Sequence, residues 1–71
     1  MLKDFNGAIL DFNKAITVDP NNSLAYYDRG LCNVSLGNLD DACADLKKAR
    51  ALGIKTADNE DTRKIMAKVC N

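Results

Sequence analysis

Residues 2–18 recur thirty-four positions downstream as residues 36–52, and this repeat limits the available folds more than any other feature of the chain. Ala8 falls on Ala42, Asp11 on Asp45, Lys14 on Lys48 and Ala15 on Ala49, while Leu2, Phe5, Phe12 and Val18 fall on Leu36, Leu39, Leu46 and Leu52. Within each copy the apolar residues return at three- and four-residue spacing, the stripe of an amphipathic helix. A helical segment repeated at this period is the mark of stacked helix hairpins, each unit burying its apolar face against the next. With 71 residues the chain holds only two such periods. A chain of that size buries roughly 60% of the surface its unfolded form exposes, so close helix packing, staples or a partner must supply the remaining stability.

The punctuation between the copies predicts four helices and no strand. Helix 1 is expected from about Asp4 to Val18 and stops before Pro20, which drives the preceding residue out of the helical region. Helix 2 is expected from Ser23, as N-cap, to Leu36. Its apolar and small residues go most of the way round, so it should pack on more than one side. Gly30 in its middle costs about 1 kcal/mol against alanine, which points to a close helix–helix approach. Gly37 supplies a left-handed stop. Helix 3 is expected over Leu39–Leu52, with Asp40 and Asp41 at its start, Lys47, Lys48 and Arg50 towards its end, and Gly53 closing it. After a polar connection at 55–59, helix 4 is expected over Glu60–Cys70, capped by Asp58 or Asn59 and carrying a Glu60–Lys64 pair.

These residues resemble the tetratricopeptide repeat (TPR) family, whose pattern sets an aromatic residue and a glycine in the first helix, A-x3-F in the second, and a closing proline. Tyr26 and Gly30 take the first two slots, Ala42-x3-Leu46 the next, and the preceding copy supplies Ala8-x3-Phe12, Ala15 and Pro20. Together with Ala49 these are the expected repeat-packing residues. The resemblance implies an all-α, right-handed helical-hairpin solenoid: the second helix of a truncated repeat over 1–22, one complete repeat over 23–54, and a capping helix over 55–71. On this pattern the unit containing helix 1 lacks its first helix, which leaves an apolar flank without its neighbour. A longer array or a second copy of the chain would cover that flank.

Two slots depart from the family's pattern. Arg29 stands where the family has leucine, and Asn33 where it has a second aromatic residue. Both fall in or near the helix–helix seam, where an unpaired charge is costly. Arg29 is therefore expected to pair with Asp45 or Asp11 rather than to reach out to solvent.

Function is legible only at the level of class. Ten basic and ten acidic residues balance, so no basic footprint for nucleic acid or an anionic membrane exists. No run approaches the roughly 18 apolar residues of a membrane span. The three cysteines, Cys32, Cys43 and Cys70, are odd in number and irregularly spaced, and the chain has no histidine. They are read as free thiols, which lean towards a reducing compartment and leave the location open beyond a cytoplasmic leaning, with no metal and no cofactor implied. Asp40, Asp41 and Asp45 are read as cap and surface groups, so no catalytic constellation emerges. The resemblance implies a protein–protein interaction module in which the first helix of the repeat lines a groove for a peptide or helix of a partner. The groove residues would be Leu24, Tyr27, Asp28, Leu31, Val34 and Ser35. The family's carboxylate clamp uses lysine, arginine and asparagine at such positions, whereas Tyr27, Asp28 and Leu31 stand here and suit an apolar or basic segment. The alternative is a self-association segment of a longer array, dimerising through the flank of helix 1.

Overall fold

In a computed structural model, which describes residues 4–53 and 60–70, the chain forms four helices: α1 (Phe5–Val18), α2 (Ser23–Leu36), α3 (Leu39–Ala51) and α4 (Glu60–Val69). Consecutive helices pack on one another as an all-α helical-hairpin solenoid. Asp4 caps α1, its carboxylate accepting the Gly7 N–H at 2.8 Å. At the other end the Asp19 N–H closes on the Ala15 carbonyl, and the Asp19 carboxylate accepts the Asn21 N–H to form the turn through Pro20. The cap of α2 is Asn22 and not the expected Ser23: its amide oxygen accepts the Ala25 N–H at 3.1 Å. Asparagine and serine cap equally well, so only the geometry of the proline turn decides which one lies outside the first turn.

The α2–α3 turn is a Schellman stop. Gly37 adopts φ +80°, its N–H bonds to the Val34 carbonyl, and the Asn38 N–H reaches back to the Asn33 carbonyl. This tight return lays α3 antiparallel along α2. Gly30 permits the closeness: a Cβ at this position would lie 3.0 Å from Leu46 Cγ and Cδ2 and 3.2 Å from Asp45 Cβ. Leu46 is fully buried and has nowhere to move. Helix α3 ends at Ala51, one residue before the expected Leu52, and Gly53 then takes φ +88°. Helix α4 ends one residue before Cys70, and its Glu60–Lys64 pair forms at 3.5 Å. The expected connection at 55–59 and the caps Asp58 and Asn59 lie outside the described residues.

The core sits between α3 and α4. Ala42, Leu46, Met66 and Val69 are buried together, with Tyr27, Leu31, Val34, Cys43, Ile65 and Cys70 packed against them. Here the expectation of three free thiols fails, because Cys43 and Cys70 form a disulfide across a Cα–Cα distance of 5.0 Å and only Cys32 remains a thiol. The bond also removes the ground for expecting a reducing compartment. Spacing could not reveal it, since the pair meets only once α4 has folded back on α3. The bond closes a loop with a sequence separation of 27, for which chain entropy gives a stabilisation of about 3.5 kcal/mol. Reduction with a dithiol should lower the unfolding free energy by about that amount. Urea titrations with and without reductant measure it, and Cys70→Ser should behave as the reduced protein does. An unchanged midpoint would mean that packing alone holds α4.

Candidate functional site

Helix α2 is enclosed on three sides, and this enclosure determines which surface it has left to offer. Towards α3 lie Gly30, Asn33 and the Arg29 guanidinium. Arg29 Nε donates to Asp45 Oδ2 at 2.8 Å and Nη2 to Asp45 Oδ1 at 2.6 Å, a bidentate fork. Of the two aspartates expected as partners, the structure selects Asp45. The third guanidinium nitrogen, Nη1, donates to Asn13 Oδ1 on α1 at 2.8 Å, so one side chain ties three helices. Asn33 Nδ2 donates to Asp45 Oδ2, and Asn38 Nδ2 donates to Asn33 Oδ1. The Arg29 guanidinium lies 5.4 Å from the centre of the Tyr26 ring, with Lys48 Nζ at 6.0 Å. The Asp45 hydrogen bonds hold the Arg29 proton more tightly than usual, pushing its pKa up.

The six expected groove residues divide into two sets. Tyr27, Leu31 and Val34 pack against the α3–α4 core, and the Tyr27 hydroxyl shares a hydrogen bond of 3.2 Å with the Thr62 hydroxyl of α4. Leu24 and Ser35 are exposed and Asp28 is half-buried. Positions 24, 28 and 35 fall on one side of a helix turning 100° per residue, so they form a strip between the side that meets α4 and the side that meets α1. Leu24 and Asp28 border a small notch completed by Phe12 and Ala15 of α1 with Asn22 and Ala25.

Asp28 is the chemically distinctive group of the strip. Burial pushes its carboxyl above the ordinary value of 3.8. Among the described residues no hydrogen bond or ion pair reaches it. Cys32, one turn on, has its thiol pushed up by burial and then by the Asp28 charge. Of the expected repeat-packing residues, Gly30, Ala42, Leu46 and Ala49 are buried, Ala8, Phe12, Ala15 and Tyr26 are half-buried, and Pro20 is exposed. Asn13 and Thr62 carry cross-helix hydrogen bonds that sequence reasoning missed. Asn13 borders the apolar stripe of α1 and has no counterpart in the repeat because position 47 is lysine, while Thr62 is the polar member of the α4 stripe that continues through Ile65, Met66 and Val69. Among the described residues no group of three or more histidine, cysteine or acidic side chains could hold a metal, and no helix is long and apolar enough to cross a membrane.

Two predictions follow from these charges. The side chains of Arg29 and Asp45 are 22% and 8% exposed, so Asp45→Ala should cost about 3 kcal/mol by leaving the guanidinium without its partner. Asp11→Ala should lie within about 0.5 kcal/mol of the wild type, and chemical denaturation of both variants checks the contrast. For Asp28 the raised pKa means that the fold retains a proton the unfolded chain has already lost. Stability therefore falls as pH rises from the ordinary carboxylate value to the raised one. Asp28→Asn should equal the wild type near pH 3 and exceed it slightly at neutral pH, as read by urea midpoints across that range.

Comparison with known proteins agrees with this architecture. The family model described as "Tetratricopeptide repeat" matches residues 12–44, from the second half of α1 through α2 into α3. The chain is 40% identical over 47 residues to a Protein STIP1 homolog of Dictyostelium discoideum, covering 66% of this chain and 8% of that protein. It is 39% identical over 51 residues to a DnaJ homolog subfamily C member 7 homolog of the same organism, covering 72% of this chain and 10% of that protein. The chain thus spans a tenth or less of the length of these curated relatives. No solved structure matches.

Proposed function

This chain belongs to the tetratricopeptide repeat family, and from that premise we propose that it is a non-catalytic protein–protein interaction module whose α2 strip receives an apolar, basic segment of a partner protein. In this reading residues 23–54 are the complete repeat, 1–22 the second helix of a preceding unit and 55–71 the capping helix. Leu24, Asp28 and Ser35 form the floor of the site, and Tyr27, Leu31 and Val34 form the wall that α4 supports. The observation that carries the reading is the half-buried Asp28 carboxylate, which has no partner among the described residues and stands beside a leucine 56% exposed. A desolvated carboxylate at the edge of an apolar notch is best satisfied by a lysine or arginine arriving with its own apolar neighbours. Rigid hairpins keep the site preorganised, so little ordering cost opposes binding.

Panning a random peptide library against the intact chain tests this. Enriched peptides should combine apolar residues with lysine or arginine, and should lose at least ten-fold in affinity towards both Leu24→Glu and Asp28→Lys while those variants melt like the wild type. Enrichment that ignores both substitutions would overturn the reading. The rival, self-association through the outer flank of α1, rests on Leu10 and Val18, which are 63% and 86% exposed. Light scattering separates the two, since a dimer whose dissociation tracks substitutions at Leu10 or Val18 would favour the rival.

A further inference from the structure

Helix α4 is held at its start, in its middle and at its end, and only the last hold is covalent. Near the start the Thr62 hydroxyl, on a residue 1% exposed, meets the Tyr27 hydroxyl of α2 at 3.2 Å. In the middle Met66 and Val69 close on Ala42 and Leu46 of α3, with Ile65 packed beside them. Just past the end Cys70 is bonded to Cys43 of α3. The charged residues of α4 are all exposed and add nothing to the buried contact. At 10 residues the helix is shorter than the roughly 12–15 at which an isolated helix becomes even marginal in water. It is therefore helical only while it is docked. The other three helices are joined without it: the Arg29 guanidinium ties α2 to Asp45 of α3 and to Asn13 of α1, and Gly30 of α2 lies against Leu46 of α3. Detachment of α4 is accordingly a local opening and not the unfolding of the chain.

What the opening uncovers is Tyr27, Leu31 and Val34, now packed in the α3–α4 core. With the exposed Leu24 they recur at three- and four-residue spacing and make one apolar stripe along α2. Cys43 and Cys70 are both half-buried, so a small thiol can reach the bond, and exposed disulfides are the labile, regulatory ones. We propose that the Cys43–Cys70 bond is a thiol-operated latch that sets how much of α2 a partner can reach. A dithiol attacks one sulfur and breaks the S–S bond, and its second thiol resolves the mixed disulfide. The protein gains two electrons and two protons as two cysteine thiols, and the dithiol leaves as its own cyclic disulfide. With the bond closed, α4 covers the stripe and a partner finds only the strip at Leu24, Asp28 and Ser35. With it reduced, α4 leaves, and the stripe from Leu24 to Val34 spans about 15 Å of helix with the Asp28 carboxylate at its edge. That surface fits an amphipathic partner helix carrying lysine or arginine beside its apolar face. The proposal rests on the interaction-module reading and supplies the regulation of that site.

The test compares the intact chain with and without excess dithiothreitol. Amide exchange over residues 60–70 should accelerate on the order of 100-fold on reduction, while the amides of α2 and α3 along the Arg29 seam stay protected. Fluorescence of the apolar dye anilinonaphthalene sulfonate should rise at least three-fold, and replacing the dithiol with oxidised glutathione should reverse both changes. A chain carrying Cys43→Ser and Cys70→Ser should match the reduced protein and ignore the dithiol. Adding Leu31→Glu to that chain should return the dye signal to the oxidised level. Unchanged exchange over residues 60–70 would overturn the proposal, because packing alone would then hold α4. Lost protection throughout α1 to α3 would overturn it as well, making the bond a staple of the whole fold, and so would dye binding indifferent to Leu31→Glu. Peptides panned on the double-serine chain should be apolar and basic and lose at least ten-fold in affinity with Leu31→Glu; enrichment that ignores this change would also overturn it. Panning on the oxidised chain with Leu24→Glu and Asp28→Lys is a separate measurement, so the two readings fail separately.

Discussion

The Arg29–Asp45 fork is the interaction on which the rest of the structure depends. A guanidinium in a helix seam must be satisfied there, because desolvating it without a partner costs several kcal/mol. Asp45 satisfies two of its nitrogens and Asn13 the third. The fork therefore fixes the register of α2 against α3 and, through Asn13, the placement of α1 as well. Asn33 and Asn38 extend the same polar line to the turn at Gly37. Among the described residues no buried side-chain nitrogen or oxygen lacks a partner. A polar seam of this kind is tolerable only when it is fully connected.

Beside this polar seam the apolar core is small, and it lies almost entirely on one side. Leu46 is the pivot, packed under Gly30 on α2 and within the Met66 and Val69 cluster of α4. The Cys43–Cys70 bond holds α4 over that cluster, and α4 in turn covers Tyr27, Leu31 and Val34. Two consequences follow from one arrangement. The covalent staple compensates for a core too thin for its length, and the covering helix narrows the free surface of α2 to the strip at Leu24, Asp28 and Ser35.

The opposite end of the solenoid is built differently. Among the described residues α1 has an apolar stripe and packs mainly on α2, and Phe5, Ile9, Phe12 and Ile16 are at best half-buried. In the proposed reading, interaction falls on the strip of α2, where the Asp28 carboxylate stands beside exposed Leu24 and favours a cationic partner.

The sequence by itself determined the helices, their order and their pairing. Those properties follow from local rules: three- and four-residue periodicity, the stop at Pro20, the left-handed glycines, and a repeat that can be superposed without knowledge of the fold. It also marked Arg29 as a charge in need of a partner and narrowed the choice to two aspartates, because the repeat duplicates that position. Tertiary structure decided which of them, since Asp45 returns to α2 across the tight Gly37 turn while Asp11 points away. It alone paired Cys43 with Cys70, and it alone divided Tyr27, Leu31 and Val34 from Leu24, Asp28 and Ser35. The last two of these outcomes depend on where α4 comes to rest against α3. That position is set by packing between distant residues, which no local pattern encodes.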